Sequence, residues 1–225
     1  MTLNKSVGNM YPWCNFTWNP IRGECPHMCA YCYVNKINKR YGLRQLPLRL
    51  DNNCLNDKLG AEKTIFVGSS TDMWADAVPS EWIIKVLKLC NSFAYNTYLF
   101  QTKNPERFFE FINYNYFPKN AILGTTIETN RNTSVSKAPQ PMIRYLHMCL
   151  LRARKMVSIE PVIGFDLHKF VSMIEKINPE FVSIGADSQR CGLPEPSPEK
   201  LKELIVELRK FTEVRIKDNL NRLLL

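Results

Sequence analysis

Three cysteines fall within eight residues in the stretch Glu24-Cys25-Pro26-His27-Met28-Cys29-Ala30-Tyr31-Cys32-Tyr33, at the spacing C-x3-C-x2-C. Cysteines this close can wrap a compact loop in which three thiolates converge on one inorganic centre. The set is one ligand short. Tetrahedral structural zinc takes four protein ligands, and an ordinary iron-sulfur cluster takes four cysteines. A three-thiolate loop therefore implies an iron kept open for something else. The competing reading is a zinc knuckle with His27 or Cys14 as fourth ligand, although zinc cysteines usually come as two close pairs separated by a longer loop.

Such a loop needs a scaffold, and the rest of the chain supplies a repeating one. Residues 12–20 alternate aromatic with small or polar residues, as a half-buried strand does, and Asn19-Pro20 ends them. Residues 33–41 read as a helix carrying Lys36, Lys39 and Arg40. Short apolar runs at 64–68, 97–101, 121–127, 156–160, 181–185 and 214–217 then alternate with helical patterns. The helices open with recognisable signals: Pro79-Ser80-Glu81, Ser197-Pro198-Glu199, and Asn104-Pro105-Glu106 in the favoured N-cap and N1 arrangement. Strands and helices alternating in this way argue parallel βαβ units that curl toward a barrel. Six or seven such units fit, too few for a closed barrel of eight. The expectation is a single α/β domain over 1–225, with a polar arm at 1–11 and an irregular connector at 42–60.

In a parallel barrel the working residues sit at the C-terminal strand ends. Those ends are Ser69-Ser70-Thr71-Asp72, Gln101-Thr102-Lys103, Thr125-Thr126-Ile127-Glu128, Ser158-Ile159-Glu160, Ser183-Ile184-Gly185-Ala186-Asp187 and Lys217-Asp218-Asn219. One or two of these would be ordinary helix caps, but six together favour a shared pocket. Glu160 could anchor a polar substrate, or form a salt bridge to a neighbouring barrel lysine or arginine. Cys191 could donate a hydrogen atom or act as a ligand, though a lone cysteine in a loop is usually incidental. His147 and His168 lie on helical patterns as packing residues.

Lys plus Arg outnumber Asp plus Glu by 30 to 21 in a chain of 225 residues, a net charge of +9 that suggests an anionic partner such as nucleic acid or a phosphorylated substrate. Eight cysteines without a secretory signal argue for a reducing cytoplasm rather than a disulfide framework. No stretch reaches the roughly 18 apolar residues of a membrane span.

The cysteine loop resembles the cluster-binding loop of the radical S-adenosylmethionine (SAM) superfamily, and the strand pattern resembles that superfamily's open, partial (β/α)6 TIM-like barrel. The resemblance implies a four-iron four-sulfur cluster held by Cys25, Cys29 and Cys32, with SAM on the fourth iron and Tyr31 packed near it. It implies reductive cleavage of SAM, driven by an electron donor such as flavodoxin or ferredoxin. Ser70-Thr71-Asp72 and Thr102-Lys103 resemble segments of spore photoproduct lyases. By that match Ser70, Thr71 and Lys103 contact the methionine part of SAM, and Thr125 or Glu128 the ribose. Ser69 stands roughly where the lyases carry a hydrogen-donating cysteine, which puts dimer repair in question. Thr17-Trp18-Asn19-Pro20, Phe66-Val67-Gly68-Ser69 and Ser158-Ile159-Glu160-Pro161 are similar to motifs of phage- and prophage-associated radical SAM proteins. The implied substrate is a nucleic-acid base or nucleotide. The alternatives are a small metabolite or peptide substrate, or a zinc-bound nucleic-acid-binding module without catalysis.

Overall fold

The computed structural model describes residues 3–6, 8 and 10–225. In chain order, β1 (Asn4–Lys5) and β2 (Phe16–Trp18) precede a small antiparallel pair, β3 (Ile21–Arg22) and β4 (Arg49–Leu50). Between β3 and β4 lie the cysteine loop and α1 (Tyr33–Arg40). The expected alternation follows: β5 (Thr64–Val67), α2 (Ser80–Ser92), β6 (Thr97–Thr102), α3 (Phe108–Ile112), β7 (Ala121–Thr126) and α4 (Pro141–Leu150). It continues with β8 (Lys155–Ile159), α5 (Leu167–Ile177), β9 (Phe181–Ile184), α6 (Pro198–Leu208), β10 (Glu213–Ile216) and a last turn, α7 (Asn221–Leu224).

Strands β2 and β5 to β10 pair in parallel with their neighbours, and β1 adds antiparallel to β2. Among the described residues β10 pairs only with β9, so the sheet stays open. This is the α/β partial barrel anticipated from the alternating pattern, with six βα units and one further strand.

Period-two alternation sorts each strand between two apolar layers. Ile65, Val67, Tyr98, Phe100, Leu123, Val157 and Ile184 turn outward and pack under the helices with Val86, Phe170 and Leu204. Phe66, Leu99, Ile122, Met156 and Phe181 turn inward, onto Tyr11 and Cys14. Each large apolar side chain so buried stabilises the fold by about 1.5–3 kcal/mol. Helix ends follow local rules: Ser197 accepts from the Lys200 N–H at 3.4 Å with Pro198 at N1, and Asn178 ends α5 at φ 53°.

Three expectations need correction. The 1–11 segment is more than a polar arm: β1 extends the sheet, and Tyr11 is only 4% exposed on its concave side. A lone aromatic among polar residues has no period to announce it. Residues 1, 2, 7 and 9 of that arm lie outside the described residues. The 42–60 connector contains β4 and a 3₁₀ turn, Asn52–Asn56, that buries Cys54. The helix expected from Pro105 begins as a 3₁₀ turn, Pro105–Arg107, before α3. Among the described residues no helix is long and apolar enough to cross a membrane.

Candidate functional site

The cysteine loop runs from the end of β3 across the C-terminal ends of the strands. Gly23, at φ 111°, starts it: a Cβ there would lie 2.3 Å from the Pro47 carbonyl oxygen, so only glycine lets the chain pass. Met28 sits at φ 46°, a left-handed turn uncommon for a non-glycine residue, and folds the segment between Cys25 and Cys29 back on itself. The loop is pinned from the far side, where Ala30 N–H donates to Val135 O at 2.8 Å and Lys137 N–H donates to His27 O at 2.7 Å.

Cys25, Cys29 and Cys32 line one cavity together with Tyr31, Phe66, Ser69, Ser70, Thr71, Gln101, Lys103 and Thr126. Of the six polar strand ends expected to share a pocket, those of β5, β6 and β7 line this cavity with the loop cysteines, and those of β8, β9 and β10 do not. Burial pushes the Cys25 thiol up to about 11, with the nearby Asp72 charge adding to the effect. Cys29 is raised mainly by burial too, against the opposing pull of the Lys103 ammonium. Such thiols release their protons when they ligate a metal.

Asp72 organises the cavity wall. Its Oδ2 lies 2.9 Å from His27 Nε2 and accepts from Thr102 Oγ1 at 2.9 Å and from the Lys103 N–H at 2.8 Å. Its Oδ1 accepts from the Trp74 N–H at 3.0 Å. Burial pushes this carboxyl upward, but the His27 interaction and the backbone donors win, and it ends below its usual value. His27 is therefore committed to Asp72. Cys14 is buried in the inner cluster with Tyr11 and Phe66, and does not line the cavity. Cys14 thus stands apart from the three thiols, while His27 lines their cavity with its Nε2 turned to Asp72. Among the described residues no three His, Cys, Asp or Glu side chains close on a point tightly enough for a single metal ion.

Several named residues hold the cavity's shape. Asn19 Oδ1 accepts from Ser69 Oγ at 3.1 Å and from the Ser70 N–H at 3.0 Å, and Thr71 Oγ1 donates to Gly23 O at 2.9 Å. Lys103 extends over the Tyr31 ring, its ammonium 5.3 Å from the centroid. Sequence reasoning treated Asn19 as a turn signal and His27 as a spare ligand; both turn out to anchor this wall.

Two assignments move. Thr125 is buried on the outer side, its Oγ1 donating to Thr102 O at 2.9 Å, while Thr126 opens into the cavity and accepts from Gln101 Nε2 at 3.0 Å. A shift of one residue along a strand exchanges the faces. Glu128 is fully buried. Its Oε2 accepts from Arg144 NH1 at 2.8 Å, its Oε1 accepts from the Tyr31 hydroxyl, and Arg144 also donates to Thr126 O at 2.5 Å. With both oxygens engaged, Glu128 braces Tyr31 instead of facing a ribose.

Glu160 stands one strand further along, away from the thiols. Its two oxygens accept from Lys217 Nζ at 2.9 Å each, and Asn219 Nδ2 approaches Oε1 at 3.4 Å. Gly185 makes the room, since a Cβ there would lie 2.7 Å from Glu160 Cδ. Beneath this pair the Lys217 ammonium lies 4.9 Å from the Tyr11 ring, whose hydroxyl donates at 2.8 Å to Ser158 Oγ or Gln101 Oε1. Glu160 does form the salt bridge weighed for it, on the concave side of the sheet. Cys191 lies on the rim, its Sγ donating to Ala30 O at 3.5 Å, outside the set that lines the cavity.

Residues 9–188 match the family described as "Protein of unknown function (DUF5131)". The chain belongs to that family. No curated protein matches this DUF5131 chain. Among solved structures, a spore photoproduct lyase mutant is similar, with a TM-score of 0.61 at 9% identity over 94% of this chain and 78% of the lyase. A lyase mutant with bound AdoMet and dinucleoside spore photoproduct is similar with a TM-score of 0.54, also at 9% identity, over 92% of this chain and 64% of the lyase. The DUF5131 chain thus spans under two thirds of that lyase's length. At this identity the likeness is one of fold, the open α/β barrel that the two share.

Proposed function

We propose that this DUF5131 protein is a radical SAM enzyme that holds a 4Fe-4S cluster through Cys25, Cys29 and Cys32, binds SAM in the adjoining cavity, and modifies a nucleic-acid base or nucleotide. The single observation that carries the reading is the cavity uniting the three thiols with Ser69, Ser70, Thr71, Lys103 and Thr126. The donor set fits the group: three soft thiols share the cavity, and the other two lining residues that could ligate, His27 and Asp72, are held by each other. When bound, the cluster and SAM supply reductive carbon-sulfur cleavage and with it the means to take a hydrogen atom from a substrate.

The chain's own residues position and shield. Lys103 offers the ammonium that the SAM carboxylate needs, and Ser70 and Thr71 stand beside Cys25 on the same wall. Thr126 and Gln101 present hydroxyl and amide groups on the opposite side. Asp72 fixes the backbone that carries Lys103, and Tyr31 is wedged in place by Glu128 and Arg144. Tyr11 and Phe66 floor the concave side with apolar surface that keeps water from the reacting centre. Glu160, Lys217 and Asn219 form a polar clamp suited to the donor and acceptor edges of a base. Cys191 is assigned no step.

The substrate class follows from the +9 charge and from the lyase structures of similar fold, one of which binds a dinucleoside. Ser69 in place of a cysteine argues that the reaction is not dimer repair. Anaerobic reconstitution with iron and sulfide, followed by dithionite and SAM, is expected to yield 5′-deoxyadenosine and methionine. Cys29→Ala is expected to lose both the brown colour and that product. Zinc without sulfide in the purified protein, or an intact cluster with no SAM cleavage, overturns the reading.

A further inference from the structure

We infer that the outer face of α4 is the contact surface of a homodimer, in which two copies of this chain meet α4 to α4 about a two-fold axis running along the helix. The inference goes beyond the enzyme reading and stands whether or not the cavity holds SAM. Helices that cover a sheet turn an apolar stripe inward and leave polar residues facing water. Helix α2 obeys: its exposed residues are Glu81, Lys85, Lys88, Asn91 and Ser92. So does α5, which exposes His168, Lys169, Glu175 and Lys176.

Helix α4 inverts the rule. It exposes Met142 (44%), Ile143 (42%), Leu146 (48%) and Leu150 (69%), and no polar residue. Its one arginine, Arg144, is buried and turned inward onto Glu128. Met142, Leu146 and Leu150 succeed one another at four-residue steps with Ile143 beside them, so the side chains form one continuous stripe. Scattered exposed hydrophobics are ordinary, but a contiguous apolar patch marks an interaction surface.

Charge selects a second copy as the occupant. The chain carries +9, so two copies repel wherever cations face each other, and an uncharged stripe is where they can touch. A two-fold contact needs only one patch that complements itself. Helix α4 lies between α5 and the turn at Pro105–Arg107 that leads into α3. On the α3 side, where the His147 and Phe109 rings meet at 6.2 Å, Glu106 and Glu110 are exposed. On the α5 side His168, Lys169 and Lys176 stand against Glu175 alone. An axis along α4 lays the acidic flank of each copy over the basic flank of the other, a polar rim around an apolar centre. Other occupants fit less well. A phosphate backbone needs cations, and a helix lying on a membrane carries Lys or Arg beside its apolar face; α4 exposes neither.

Sedimentation of the full chain, kept reduced and anaerobic, is expected to show a monomer–dimer equilibrium between roughly 1 and 100 µM, weak because one helix and its flanks make a small interface. Leu146→Glu sets a carboxylate in the middle of the stripe and is expected to weaken the dimer about tenfold or more. Leu146 is half exposed in the single chain, so the monomeric variant should keep its circular dichroism and unfold near the wild-type temperature. Glu106→Lys should weaken the dimer severalfold by setting cation against cation, and adding Lys169→Glu should restore it. Wild type that stays monomeric at about 100 µM overturns the inference, and flotation of that monomer with phosphatidylglycerol vesicles would give the stripe to lipid instead. A dimer untouched by Leu146→Glu, or a charge swap that restores nothing, overturns the α4-to-α4 arrangement as well.

Discussion

Two neighbouring strands end on one pattern, a hydroxyl residue, an isoleucine and a glutamate: Thr126-Ile127-Glu128 from the last residue of β7 and Ser158-Ile159-Glu160 from the last two of β8. Both isoleucines are fully buried in the main core, and both hydroxyls join the inner network. The glutamates nevertheless have opposite fates. Glu128 meets Arg144 with side-chain exposures of 0% and 1%, and Tyr31 caps its other oxygen. Glu160 meets Lys217 with 17% and 7%, on the concave side, where Asn219 also approaches. A sealed pair is a brace. A pair left partly open to the concave side is the one that the proposed function gives to the substrate. Identical local chemistry becomes scaffold or clamp according to which side chain arrives from elsewhere.

The sharpest way to break the comparison is to remove one cation from each pair. Arg144→Ala strands a buried carboxylate and removes the donors to Thr126 O and Pro139 O, and is expected to cost about 3–5 kcal/mol in urea unfolding. Replacing Glu128 and Arg144 together by Leu and Met should recover much of that loss. Lys217→Met should cost less, about 1–2 kcal/mol, because Glu160 keeps Asn219 and some access to solvent. Equal losses at the two sites would show that both pairs are braces.

Acid sharpens the same contrast. Burial pushes the Glu128 carboxyl up, but the Arg144 and Lys103 charges and the Tyr31 hydroxyl outweigh it, so the group sits below its ordinary value in the folded chain. Asp72 shares that direction. A carboxyl lowered on folding contributes stability that is present above its unfolded pKa of about 4 and lost as pH falls through the folded value. Unfolding free energy should therefore decline below about pH 4, and the decline should be shallower in Glu128→Gln than in wild type. A slope unaltered by that substitution would remove Glu128 from the account.

What the chain disclosed in advance was whatever is local. The cysteine spacing, the N-cap and proline signals and the period of each apolar run lie within a few residues, and the strands and helices from β5 onward formed near the expected positions, the turn at Pro105–Arg107 excepted; of residues 12–20 only Phe16–Trp18 is strand. What stayed hidden depends on distant partners. The role of Glu128 is set by Arg144, sixteen positions on, and that of Tyr11 by Ser158 and Gln101. The role of His27, a candidate ligand by its place beside the cysteines, is set by Asp72, forty-five positions on. Thr125 and Thr126 differ only in which face the strand turns inward, and two adjacent threonines give no hydropathy contrast from which to tell.

That last ambiguity gives the smallest expected effect and the most specific test. Valine keeps the shape of threonine and deletes the hydroxyl, so each substitution removes one hydrogen-bonding group. At 125 the lost partner is the Thr102 carbonyl inside the sheet, and Thr125→Val should lower stability by about 1 kcal/mol with SAM affinity unchanged. At 126 the hydroxyl that orients Gln101 faces the cavity, so Thr126→Val should weaken SAM binding by about fivefold, roughly 1 kcal/mol, with a smaller effect on unfolding. Equilibrium SAM binding to the reconstituted protein separates the two. If the affinity loss follows position 125 instead, the register of β7 relative to the cavity is off by one residue.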